Sequence, residues 1–174
     1  ISSRDQTTLA NRVHSFSWKD HYPKKYLKQS TKGEEIEFIV KEVSFKEIQS
    51  FLNQYSDVLF PANLTTSAFA NCNTSTHKEA FHSCASDVFG YFVENRMVGC
   101  FMSNLTDWST MYVRHVAVIP EFSGYFIFHD FWRDYISILE QTDIERIEAD
   151  AALNNTKQLS RLYLLGFVMS GSLF

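Results

Sequence analysis

Residues 88–102 constrain this chain more than any other stretch. VFGYFV (88–93) and MVGCFM (97–102) are two β-rich runs separated by the turn ENR (94–96). Over so short a gap two strands can only run antiparallel, so the segment predicts a β-hairpin. A second turn, NLTDWS (104–109), leads to TMYVRHVAVI (110–119), which reads as a third strand. Consecutive strands joined by short turns pair as antiparallel neighbours. A sheet is thereby fixed in the middle of the chain, and the flanking segments must cover it.

The flanks alternate between strand and helix patterns. GEEIEFIVKEV (33–43) places Ile36, Phe38 and Val40 on one strand face. In SFKEIQSFLNQYSDVLF (44–60) the apolar residues recur at helical spacing, with Ser44 and Glu47 forming a capping box and Pro61 closing the helix. Residues 61–86 predict a long loop with a short helix around His77–Cys84. Beyond Pro120, IFHDFWRDYISILEQ (127–141) reads as a helix and IERIEADAAL (144–153) as a strand. NTKQLSRLYLLG (155–166) is a helix with Asn155 as N-cap and Gly166 as its stop, and FVMSGSLF (167–174) starts a last strand. The order β-α-β-β-β-α-β-α-β predicts an α/β fold with a mixed central sheet and flanking helices. Residues 1–33 show no sustained period and read as an N-terminal arm packed on a domain spanning 34–174.

Composition excludes several classes. The chain has 174 residues, 45% hydrophobic, with 16 Phe and 8 Tyr against 6 Gly and 3 Pro, which is the content of a packed core and not of a disordered segment. A net charge of −4 and the lack of a Lys/Arg cluster argue against a nucleic-acid partner. No apolar run approaches the ~20 residues of a membrane span, so no membrane partner is expected. Three cysteines, Cys72, Cys84 and Cys100, cannot all pair within one chain, and reduced thiols in a cytoplasmic protein are the simpler expectation. The matches NLT at Asn63 and Asn104 and NTS at Asn73 carry little weight as glycosylation signals. Cys72, His77, His82 and Cys84 are zinc-ligand types, but their order matches no zinc module and no metal is expected. Glu145, Glu148 and Asp150 alternate with Arg146 and read as a solvated strand edge.

Four landmarks in order give the chain a resemblance to the GCN5-related N-acetyltransferases (GNAT): the hairpin VFGYFVENRMVGCFM, the strand and turn VAVIPEF, the strand IERIEADAA, and the helix NTKQLSRLYLLGF. The resemblance covers roughly residues 34–174. It implies that strands 110–119 and 144–152 splay apart and that the pantetheine arm of a thioester donor lies between them, bordered by Val116 and Val118 and contacted by Asn155. The donor implied is acyl-coenzyme A or an acyl-phosphopantetheine. The acceptor implied is a small-molecule or peptide amine, and an acyl carrier protein or another domain or chain completing the sheet are the other partners considered. Catalysis would rest on positioning, backbone stabilisation of the developing oxyanion and removal of one proton.

The sequence departs from the family pattern at three places. The turn that should cradle the donor's diphosphate has Ser123 at its basic position and Phe126 and Phe128 at its small ones, and Gly124 alone agrees. The slot for a tyrosine general acid holds Leu162, with Tyr163 next to it. The slot for a glutamate base holds Arg114, whose guanidinium cannot accept a proton; strict alternation puts Tyr112 on the same strand face as Arg114 and His115 on the opposite one. Tyr163, Tyr112 and His115 are therefore the catalytic candidates, and Val116, Val118, Gly124 and Asn155 the donor-binding ones. The alternative is an inactive GNAT-like domain acting as a binding module.

Overall fold

The computed structural model describes residues 8–59, 76–151 and 155–170. Six strands form one sheet in the order β1-β2-β3-β4-β5-β6: Lys24–Gln29, Glu35–Glu42, Ser86–Val93, Arg96–Leu105, Thr110–Val118 and Arg146–Ala149. The first five pair antiparallel and β6 runs parallel to β5. The expected hairpin is β3–β4. Its turn narrows to Glu94 and Asn95, both left-handed with φ of 49° and 66°, the backbone of a two-residue turn that matches strand twist.

Helices cover both faces of the sheet. Register and alternation put Phe89, Tyr91, Phe101 and Ser103 on one face. There α5 (Ile127–Leu139) presses Phe131 against Phe89, Tyr91 and Phe101, and the Tyr135 hydroxyl donates to Ser103 Oγ at 2.9 Å. Ser86, Val88, Met102 and Asn104 lie on the other face. His82 of α4 (Thr76–Ala85) bonds Ser86 there and stacks on Phe45 of α2 (Phe45–Gln54). Helix α2 starts at the expected capping box: Ser44 Oγ accepts from Glu47 N, and Ser44 N donates to Glu47. The single helix expected over 44–60 breaks at Tyr55 into α2 and the one-turn α3 (Ser56–Leu59); Pro61 lies outside the described residues.

Three expectations need correction. The strand β1 was not anticipated, because KKYLKQ buries one side chain, Tyr26, and so carries no alternation. The strand expected over 144–153 is four residues long, since β6 is bonded by β5 over four pairs. Residues 167–170 form no strand; residues 171–174 lie outside the described set, as do Cys72, Asn63 and Asn73. Asn104 is buried and its side chain bonds Leu105 O and Arg114, so the NLT match there is no open acceptor for a glycan.

The N-terminal segment enters the core through Trp18, in a single 3-10 turn (Trp18–Asp20) that follows α1 (Leu9–His14). Trp18 is fully buried, and its Nε1 donates to Asp87 Oδ1 at 2.8 Å, where Thr8 Oγ1 donates as well. Burial pushes the Asp87 carboxyl up to about 7, although both donors pull it down. Burial pushes the His82 and His115 imidazoles down to about 4.

These shifts give stability a pH dependence of known sign. A lowered imidazole favours folding above its ordinary 6.5, and that contribution is lost as pH falls from 6.5 toward 4. A raised carboxyl does the opposite: its contribution is complete below 3.8 and is lost as pH rises toward 7. Between pH 5 and 6.5 unfolding takes up protons on two imidazoles and releases about one from Asp87, with Glu42, also raised by burial, adding to the release at the lower end. Net uptake stays below one proton and shrinks toward pH 6.5, so stability should fall on acidification with a slope of at most about 1 kcal/mol per pH unit. In Asp87→Asn the release is removed and the slope should roughly double. Urea titrations across this range check it; a flat profile in both proteins would contradict the assignment.

Candidate functional site

The parallel strands β5 and β6 part company half-way along β5. They pair at Thr110↔Arg146, Met111↔Ile147, Tyr112↔Glu148 and Val113↔Ala149. Strand β5 runs on to Val118, while β6 ends at Ala149. A fork therefore opens at Arg114 and Asp150, the residues just past the last pair.

A register step marks the same place. On β4, Met102 pairs with His115 and Ser103 with Val113, so the ladder steps over Arg114 as in a β-bulge. The step corrects the face assignment made by strict alternation: Tyr112, opposite Asn104, and His115, opposite Met102, share one face, while Val113 and Val116 share the other. The Arg114 guanidinium bonds Asn104 Oδ1 and lies over the Tyr112 ring at 5.1 Å.

The fork opens into a narrow groove. Val113, Arg114 and Val116 form its floor, Phe128 and Trp132 of α5 one wall, and Leu162 and Leu165 near the end of α6 (Thr156–Leu164) the other. Its cavity volume is about 40 Å³. Ala149, Asp150, Gln158 and Phe167 complete the lining.

Helix α6 reaches this position through its two ends. Asn155 Oδ1 accepts from Gln158 N at 3.2 Å, a side-chain N-cap. At the other end Gly166 is left-handed with φ 95°, Gly166 N donates to Tyr163 O, and Phe167 N donates to Leu162 O. That pair of bonds is a Schellman motif, and it turns the chain so that Phe167 packs on Trp132 with ring centroids 5.7 Å apart. The Gly-Phe pair closes the end of the groove instead of starting a strand.

The candidate residues fall in different places. Val116 lines the groove, and Val118 lies further along β5, half-buried and outside the lining. Asn155 acts on its own helix. Tyr163 is 78% exposed and points away from the groove, where Leu162 takes its place. His115 is buried on the face away from Val113 and Val116. Tyr112 flanks the fork and donates its hydroxyl to Asp150 Oδ2 at 2.7 Å. Burial first, then this bond, raises the Tyr112 phenol to about 12, so it stays protonated and serves as a donor. Asp150 was read in the sequence as a solvated edge. Its link to Tyr112 spans 38 positions, and no local pattern announces it.

Pro120–Tyr125 wind into a 3-10 turn, and Phe126 is left-handed with φ 56° and no side-chain cap. Phe126 is half exposed, while Phe128 is buried against Phe101 and Trp132. A Cβ added at Gly124 would meet nothing within 4 Å, so crowding does not demand glycine there. Arg96, the cation that reaches this turn, is bonded to Glu121 and to the Tyr55 hydroxyl. Asp130 in the first turn of α5 already answers the helix's positive end and is bonded to Lys28.

Sheet order, fork and groove can be set against known proteins. No protein-family model matches the chain, and no curated protein does. Solved structures do. The PaiA N-acetyltransferase from Thermoplasma acidophilum, in complex with coenzyme A, superposes with a TM-score of 0.61 at 10% identity, covering 78% of this chain and 92% of that one. The aminoglycoside 6'-N-acetyltransferase AAC(6')-Ih from Acinetobacter baumannii gives 0.57 at 12% identity, covering 79% and 95%. The ribosomal-protein-alanine N-acetyltransferase from Brucella melitensis biovar Abortus 2308 gives 0.57 at 12%, covering 79% and 96%. The chain has the GNAT fold. Among the described residues no group of His, Cys, Asp and Glu is placed to hold a metal, and no helix is long and apolar enough to cross a membrane.

Proposed function

We propose that the protein transfers an acyl group from a thioester to an amine, with the donor's pantetheine arm in the β5–β6 fork. The observation that carries this is the fork itself: β5 extends past its partner beside a narrow groove whose lining mixes apolar side chains with Arg114, Asp150 and Gln158. A strand edge of this kind offers backbone groups to an extended amide-bearing chain, and the side chains beside it supply shape. The residues fit the arm: Val113, Val116, Phe128, Trp132 and Leu162 suit its methylenes, and Arg114, Asp150 and Gln158 are the polar neighbours of its amides. They do not fit a diphosphate, since the turn at 120–126 carries Ser123 and Phe126 where a cation and open backbone would be needed. The donor is therefore a thioester whose binding depends on the arm, as in acyl-phosphopantetheine or weakly held acyl-coenzyme A. Fold similarity to acetyltransferases, one of them solved with coenzyme A, supports the class of reaction.

The altered turn also favours a second reading, a catalytically silent domain that keeps the groove for binding. Thermal shift tests the first. Acetyl-coenzyme A and acetyl-pantetheine should both stabilise the protein, by ~2.7 kcal/mol at a hundred times Kd. Their affinities should agree within about tenfold, because a charge-assisted contact to phosphate, worth ~1.5–3 kcal/mol, is missing. No shift with either would retire the proposal. A preference for acetyl-coenzyme A of more than about a hundredfold would show that the nucleotide half is gripped after all.

A further inference from the structure

We propose that Asp150 receives the acceptor amine and takes up its proton, and that Tyr112 holds the Asp150 carboxylate in place. This deepens the acyl-transfer proposal and rests on it.

Position comes first. Pairing ends at Val113↔Ala149, so Asp150 is the first residue past the fork on β6, facing Arg114 across it. Neighbouring strands lie about 4.8 Å apart where they are paired, so Asp150 flanks the opening itself. It is exposed and contributes to the groove lining. Helices α5 and α6 wall the groove on the Val113 and Val116 side. An amine meeting a thioester seated there has to come from the other face, where Tyr112 stands opposite Asn104.

Chemistry follows from position. An aliphatic amine arrives as an ammonium ion, so it needs an anion to attract it and a base to deprotonate it. A carboxylate does both. The Tyr112 hydroxyl fixes one carboxylate oxygen, Oδ2, at 2.7 Å, which limits the rotamers of an otherwise exposed side chain. Among the described residues, the other charged groups beside the pair are Arg114, over the Tyr112 ring, and Glu148, bonded to Arg146 at 3.2 Å. The step balances. The ammonium gives one proton to Asp150; the amine nitrogen then bonds the thioester carbonyl carbon as the C–S bond breaks. The second proton leaves nitrogen for the departing thiolate, and Asp150 returns its own to water. The other candidates are worse placed: His115 is buried on its strand and Tyr163 lies outside the groove.

Asp150→Asn, Asp150→Glu and Tyr112→Phe are assayed with acetyl-coenzyme A as donor and butylamine, spermidine and glycinamide as acceptors, alongside donor-induced thermal shift. Asp150→Asn should lose at least about a hundredfold in kcat/KM for the best acceptor, the scale of a lost general base, with the donor shift intact. Asp150→Glu should recover part of it. Tyr112 is a positioning residue, so Tyr112→Phe should lower kcat for the acceptor with the donor shift intact, and should cost nothing further when added to Asp150→Asn. Wild-type rates in Asp150→Asn, or a donor shift in the wild type with transfer to none of the three amines, would overturn the inference and leave the groove standing. A wild type with neither shift nor transfer would overturn the acyl-transfer proposal and this inference with it.

Discussion

Trp18→Ala should cost the protein most of its stability. Trp18 has no exposed surface. It stacks on Tyr135 at 5.4 Å, meets the Phe89 ring edge-on at 5.2 Å, and packs against Phe16 at 4.8 Å. Truncating a buried aromatic to Ala costs about 3–5 kcal/mol through lost transfer energy and the cavity left behind. The indole N–H also donates to Asp87, and removing it leaves a fully buried carboxyl with the Thr8 donor, adding about 1–3 kcal/mol. Domains of this size are stable by only ~5–15 kcal/mol, so the variant should be largely unfolded or close to it. Trp18→Phe, which keeps most of the packing, separates the two contributions. Urea denaturation at pH 7 is the measurement, and a loss below ~1 kcal/mol for Trp18→Ala would mean that the N-terminal segment is not part of the folded core.

The second large effect is on binding. Val116 lies opposite Phe101 in the ladder and lines the groove where β5 runs on without β6. An indole at this position would occupy the groove beside Phe128 and Trp132. Val116→Trp should therefore weaken acetyl-coenzyme A binding by at least a hundredfold, the equivalent of ~2.7 kcal/mol. Overpacking costs ~1–3 kcal/mol of stability, so the variant should still fold. Circular dichroism and the donor-dependent thermal shift read the two outcomes separately. Unaltered binding in a folded Val116→Trp protein would place the donor elsewhere.

Local hydrogen-bonding chemistry was legible in the sequence, and long-range pairing was not. Ser44 with Glu47, Asn155, and Gly166 each specify a helix end through bonds to residues a few positions away, and each stands where the pattern put it. The hairpin was readable because a short gap between two β-rich runs leaves one solution. The β-bulge was not. A register step changes no residue type, so VRHV still looks like plain alternation, and the face of His115 relative to Tyr112 came out reversed. Strand β1 was missed because it is an edge strand with one buried residue. Phe167 looks like the first residue of a strand, but its partner is Trp132, 35 positions upstream, reached through the Schellman turn. Tyr112 and Asp150 are joined by the parallel pairing of β5 and β6, which no local window contains.

Hydrogen exchange reads out whether a donor lies in the fork between β5 and β6. With acetyl-coenzyme A bound, amides at 114–118 of β5 and in α6 should gain protection, while β1 and β2 exchange as before, and Val116→Trp should abolish the change. Protection confined to other elements, or none at 114–118 under saturating donor, would contradict the account.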